Sequence, residues 1–159
     1  MRKIKELYLK YREVVDYLFW GVMTTLVSFI TYSVFVIIFG AIFGENAAVS
    51  LFGMSFSISV TLANILSWIC SVSFAFVTNK LFVFKSKSFA FSVAFPEFTK
   101  FLSARILTGV LEMAGVPLLV SLGLSVTIFG IEGAVAKIIV TIAVIILNYV
   151  FSKLFIFKK

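Results

Sequence analysis

YLFWGVMTTLVSFITYSVFVIIF, residues Tyr17 to Phe39, runs for 23 positions without a charge. A helix that crosses a bilayer needs about 20 predominantly apolar residues, so this stretch predicts a transmembrane helix. It is too long for the apolar region of a cleavable leader, about 7–15 residues ending in small side chains, and contains no A-x-A site. It is therefore expected to stay in the membrane.

Working outward, Asn46 to Asn79 is also uncharged, which is too long for one crossing. Its first part, 47–57 with Gly53, reads as an outer loop or interfacial segment, and the second span is placed at 58–79. A third, 98–122, is interrupted by Arg105 and Glu112, and Pro117 should kink it or mark its fraying end. A fourth, 133–155, carries Lys137 one turn in. The fold class expected is an all-α membrane protein of four transmembrane helices, a single domain over 1–159.

Composition agrees. The chain is 62% hydrophobic and 13% charged, with a mean hydropathy of +1.16; soluble domains run near 45–50% apolar and about 25% charged. The net charge of +7 raises the question of nucleic acid, but the basic residues flank apolar runs, as cytoplasmic loops do. The N-terminal segment, the stretch 80–100 and the C-terminal tail hold twelve of the fourteen Lys and Arg. The intervening loops, 40–57 and 123–133, hold only Glu45 and Glu132. The positive-inside rule then places both termini in the cytoplasm. Cys70 is alone and His is absent, which excludes an intrachain disulfide and His-based catalysis or metal binding.

FVTNKLFVFK (76–85) and YVFSKLFIFK (149–158) share the frame K-L-F-[VI]-F-K at an offset of 73 residues. Each copy ends an even-numbered span, so the chain is two tandem helix hairpins in parallel repeat. An aromatic and basic interfacial belt explains the residue types, but not the recurrence of an ordered frame.

Several polar side chains lie where hydrocarbon is expected. Arg105 falls about 10 Å into the third span, where it can hold a phosphate with its planar fork or snorkel to the inner surface. Lys80 and Lys153 sit at the inner boundary as anchors or phosphate contacts, and Lys137 lies near the outer one. Glu112 is near mid-membrane, where an acid costs about 2.5–3.5 kcal/mol. Arg105, Thr108 and Glu112 share one helical face, but Arg105 and Glu112 are about 10.5 Å apart along the axis. Glu112 must be protonated, face a polar cavity or meet a cation from another helix, for which Lys137 has a suitable depth. Asn64, Asn79 and Asn148 can bond between helices or meet sugar hydroxyls.

At these residues the chain resembles the GtrA-like family of small four-helix membrane proteins. The likeness rests on Gly21 with Thr24 and Thr25; Ala63-Asn64, Ser67 and Ser71; Phe76 and Asn79-Lys80-x-x-Val83-Phe84; Phe98-x-x-Phe101-Leu102 and Arg105; and Lys137, Asn148 and Ser152-Lys153-x-x-Ile156-Phe157. Ser152 stands where the family usually shows Asn. The resemblance implies a bacterial cytoplasmic-membrane protein that flips a polyprenyl-phosphate-linked sugar for decoration of O-antigen, teichoic acid or arabinogalactan. Arg105, Lys137, Lys80 and Lys153 would then meet the lipid phosphate, and Glu112, Asn64, Asn79, Asn148 and Thr108 the polar pathway. The partners expected are that sugar lipid, membrane lipids, a membrane glycosyltransferase and a second copy, with no nucleic acid and no cofactor.

No paired carboxylates at metal spacing, nucleophile with a base, or phosphate-cradling glycine loop is present, so the chain reads as a non-enzyme. An accessory subunit of a polyprenyl-phosphate glycosyltransferase is the first alternative. A small multidrug exporter is the second, disfavoured because Glu13 and Asp16 precede the first span.

Overall fold

The structure is a computed structural model that describes residues 2–44, 47–51, 54–86, 88–124, 126 and 134–157. Glu45, Glu132, Lys87, Lys158, Lys159 and Gly53 lie outside the described residues. Four helices are long and apolar enough to cross a membrane: α1 (Arg2–Phe43), α2 (Ile58–Thr78), α3 (Phe91–Ser121) and α4 (Ala134–Phe151). The protein is a multi-pass membrane protein. The chain divides into two compact units, Met1–Lys85 and Ser86–Lys159, each described by itself below.

In the first unit α1 packs against α2. α1 has 42 residues, about 63 Å at the helical rise, or twice the hydrocarbon thickness of about 30 Å. It continues past both edges of the expected span because helix formation depends on backbone bonding, not on lipid. It stops at Gly44, whose φ of +81° suits a residue without Cβ, and whose N–H bonds Gly40 O at 3.0 Å in an αL cap. The segment expected as a loop is a two-stranded antiparallel hairpin, β1 (Ala48–Leu51) with β2 (Met54–Ser57), in the register Ala48↔Ser57 to Leu51↔Met54. The Ser57 side chain then caps α2 by accepting from Val60 N.

The buried stripe of α2 is built from small residues every fourth position: Ala63, Ser67, Ser71 and Ala75, then Asn79. In a membrane, helices gain little from apolar burial against one another, so small side chains that permit close backbone approach do the packing. Ser67 and Ser71 return their hydroxyls to Asn64 O and Trp68 O at 3.1 and 2.9 Å, which lets them serve as small residues without stranding a donor.

The second unit repeats the pattern. α4 buries Ala136, Val140, Asn148 and Ser152, at the same offset from Ala63, Ser67, Ala75 and Asn79 as the repeated frame. Gly115 on α3 lies against Val140, whose Cγ atoms would stand 3.3 Å from an added Cβ. α3 runs through Pro96 and Pro117 without ending at either. It closes in a Schellman arrangement, Gly123 N to Val120 O and Leu124 N to Leu119 O, both 3.0 Å, with Gly123 at φ +100°. At its other end the Ser86 hydroxyl donates to Glu97 Oε1 at 3.0 Å, tying the connection to the helix.

The repeated frame has a common shape. Residues Asn79–Val83 and Ser152–Ile156 each form a π-helical turn, closed by Phe84 N to Asn79 O and Phe157 N to Ser152 O, both 2.9 Å. The widened turn buries Val83 and Phe84 in one copy and Ile156 and Phe157 in the other, and leaves Phe82 and Phe155 exposed. The ordered frame therefore encodes a backbone feature that a membrane belt does not require. Such turns are frequent at functional sites.

Candidate functional site

The polar side chains of the second unit lie along the contact between α3 and α4. Phe101, 1% exposed, anchors the lower end, with its ring centroid 6.3 Å from that of Phe157. The Arg105 guanidinium lies over the Phe101 ring, its Cζ 5.2 Å from the centroid. A cation over an aromatic face is held by the ring quadrupole, so the fork is oriented by a ring that is itself immobilised.

One turn further, Thr108 is buried, and its Oγ1 lies 3.1 Å from Oδ1 of the buried Asn148. The same hydroxyl is 2.9 Å from Ala104 O and 3.2 Å from Arg105 O. It carries one proton, so it satisfies one of these acceptors at a time. Thr108→Val is expected to lower stability by about 0.6–1.7 kcal/mol, the span of interhelical polar contacts in membranes, and Thr108→Ser by much less. Thermal unfolding in detergent measures the difference; equal melting of the Val and Ser variants would show that the contact carries no energy.

At the next turn Lys137 Nζ reaches Glu112 Oε1 at 2.6 Å. Of the three arrangements open to Glu112, the structure has the cation from a neighbouring helix. From Arg105 to Glu112 the polar groups extend about 10.5 Å along α3. In order, these groups are a stacked cation, a hydroxyl with an amide, and an ion pair. A headgroup carrying phosphate and hydroxyls finds a partner for each of its groups on such a face, and hydrocarbon offers none.

The other expected residues stand apart from this face or in the first unit. Lys153, in the second π-turn, is exposed and bonds Tyr149 of α4, Nζ to Oη 3.1 Å. Asn79 and Lys80 open the first π-turn and are both buried, Lys80 completely. Asn79 Nδ2 donates to Ala75 O at 2.7 Å, while its Oδ1 is buried without a partner. Asn64 is exposed on α2. The Phe101 platform and the Tyr149 partner of Lys153 were not foreseen as site residues. Both stand four residues before the cation they support, a spacing that was available in the sequence.

A family model, GtrA/DPMS, transmembrane domain, matches residues 16–157. An uncharacterized membrane protein, YwcD, of Bacillus subtilis is 29% identical over 143 residues, 90% of this chain and 94% of its own length. The cell wall teichoic acid glycosylation protein GtcA of Listeria innocua is 40% identical over 97 residues, 61% of this chain and 63% of its own. Its counterpart in Listeria monocytogenes is 36% identical over the same length. The chain thus spans less than two thirds of these Listeria proteins. No solved structure matches it.

Proposed function

The chain belongs to the GtrA/DPMS transmembrane-domain family, and from that premise we propose that it carries a polyprenyl-phosphate-linked sugar across the cytoplasmic membrane for glycosylation of the cell envelope. The observation that carries this reading is the Lys137–Glu112 pair at 2.6 Å between two membrane-spanning helices, in line with Thr108–Asn148 and Arg105. Charged groups inside spans are costly and characteristically mark the path of a polar substrate. The names of the Listeria relatives place those proteins in teichoic acid glycosylation, which supports the same class of substrate here.

In this reading, within the second unit, the exposed Lys153 draws the anionic lipid to the inner boundary and Arg105 takes its phosphate through two parallel hydrogen bonds. Thr108 and Asn148, which bond each other, exchange that contact for the sugar. Lys137 exchanges Glu112 for the phosphate on the outward side, and Glu112 takes up a sugar hydroxyl or a proton. Each exchange replaces one charge-assisted bond with another, so the phosphate is never without a cation in a layer about 30 Å thick.

The purified protein in liposomes with a defined polyprenyl-phosphate sugar is expected to expose the sugar of the opposite leaflet to an impermeant oxidant. Exposure only when a membrane glycosyltransferase is also present would assign the protein to an accessory role instead.

The orientation is part of the proposal. In a Cys70→Ala background, a cysteine at Ala47 is expected to react with an impermeant thiol reagent in intact cells, and one at Ser88 only after lysis. The reverse pattern would invert every depth assigned above.

A further inference from the structure

The two π-turns are alike in backbone and differ in what faces them. Phe82 and Phe155 are equivalent positions of the repeated frame. In the first unit the Trp20 indole of α1 lies flat on Phe82, with centroids 4.7 Å apart and planes 14° from parallel. It also approaches Phe74 at 6.2 Å. In the second unit Phe155 shares a groove with five residues of α3, Thr99, Lys100, Ser103, Ala104 and Leu107, none of them aromatic. Where one unit has an indole, the other has an open groove of about 360 Å³, walled by Leu107, Phe151 and Phe155 and edged by Lys100 and Ser103.

The charge beside each position differs as well. One turn before Trp20, Asp16 is paired with Arg12 at 3.4 Å, whereas the open groove is edged by Lys100, which is exposed.

We infer that this groove is a docking site for the lipid carrier, taking the isoprene units next to the phosphate against Phe151 and Phe155 while Lys100 binds the phosphate. The inference rests on the transport reading and deepens it by assigning the carrier's tail a place. The volume lies at the low end of small-ligand pockets, about 300–1,000 Å³, so the groove holds the phosphate-proximal part of the chain and leaves the remainder in lipid. A planar, methyl-branched isoprene unit covers an aromatic wall much as the Trp20 indole covers Phe82. A straight saturated chain is thinner and leaves that wall partly bare. The single lysine matches a single phosphate group. Lys100 precedes Arg105 by five residues, about 7.5 Å of helical rise and about 140° round the axis, so the groove and the Phe101-mounted guanidinium lie on different faces of α3.

The probe is a polyprenyl phosphate bearing a diazirine in its second isoprene unit, added to the full chain in phosphatidylcholine liposomes. Photolabelling is expected within residues 99–107 and 151–156, and it should be displaced by unlabelled polyprenyl phosphate but not by phosphatidylglycerol. Ala104→Trp, which puts an indole into the groove, should cut this labelling at least tenfold. Lys100→Gln, a surface change that leaves the packing alone, should weaken competition severalfold. Displacement by phosphatidylglycerol, or undiminished labelling in both variants, would overturn the docking site. Saturable labelling confined to other segments with transport intact would overturn it while leaving the transport reading standing. No saturable labelling anywhere would overturn both.

Discussion

Glu112→Gln with Lys137 retained is expected to destabilise the protein measurably. The carboxylate is the partner of the Lys137 ammonium at 2.6 Å, and Gln keeps the size while removing the charge. The side chains of the pair are 58% and 32% exposed and Lys137 stands one turn inside its span, so stranding it costs about 1–2 kcal/mol, below the cost of about 2.5–3.5 kcal/mol for a lysine at a helix centre. The midpoint of thermal unfolding should fall by roughly 2–8 °C, at about 2–4 °C per kcal/mol for a chain of this size. Removing both charges, as Glu112→Gln with Lys137→Met, should recover most of that loss, because an apolar chain at 137 needs no partner. Transport should not recover with it if Lys137 takes the phosphate. A double variant that is stable and inactive supports the pathway reading, and one that is stable and active confines the pair to structure. A single Glu112→Gln variant that melts with the wild type and also transports at its rate would remove the pair from both roles.

The parts of this structure that were legible in advance depend on runs of residue type. Four long apolar stretches, the first two of them uncharged, mark the four helices, because the hydrocarbon layer imposes a length that few soluble segments meet. The repeated frame was legible because it recurs in order. Helix ends were not. α1 begins at Arg2, well outside the apolar run, since Lys, Arg, Glu and Leu propagate a helix into water as readily as Leu and Phe do in lipid, and α3 begins at Phe91, seven residues before the expected span. The hairpin at 48–57 was hidden because an uncharged segment rich in Ser and Phe suits a strand, a loop or an interfacial segment equally well. No residue type dictates a π-turn, so its presence in both frames had to come from coordinates.

The candidate site divides in the same way. Depth along the helices, counted at 1.5 Å per residue, brought Lys137 level enough with Glu112 to be its one named partner. Depth does not give the angle about the axis, and without that angle protonation and a polar cavity stayed open. The Thr108–Asn148 contact and the Trp20–Phe82 stack also require the rotational register of two helices, which periodicity constrains for each helix alone. Asn64 shows the converse. Its position one residue after the buried Ala63 puts it a hundred degrees round the helix, and it is exposed although its residue type suggested the interior.

Arg105→Lys is expected to reduce transport about ten- to a hundredfold while leaving the amount of folded protein unchanged. The guanidinium is half-buried and stacked on Phe101, with its Cζ 5.2 Å from the ring centroid. Stacking occupies the planar face, so the N–H edge is what it presents to a ligand, and that edge can hold two phosphate oxygens at once. Lysine preserves the charge and can snorkel equally well, but it is a point donor with no plane to lay on the ring. Losing one charge-assisted bond of about 1.5–3 kcal/mol corresponds to about one to two powers of ten in affinity. Phe101→Leu should give a smaller loss in the same direction, because the charge and fork remain but the platform of about 0.5–2 kcal/mol is gone. The measurement is the rate of sugar exposure in liposomes as a function of lipid-linked sugar concentration, with protein content determined in each preparation. If Arg105 only anchors α3 at the inner surface, Arg105→Lys will transport within about twofold of wild type, which a shift of under 0.5 kcal/mol would explain. The first contact with the phosphate would then have to be sought at Lys100 or Lys153.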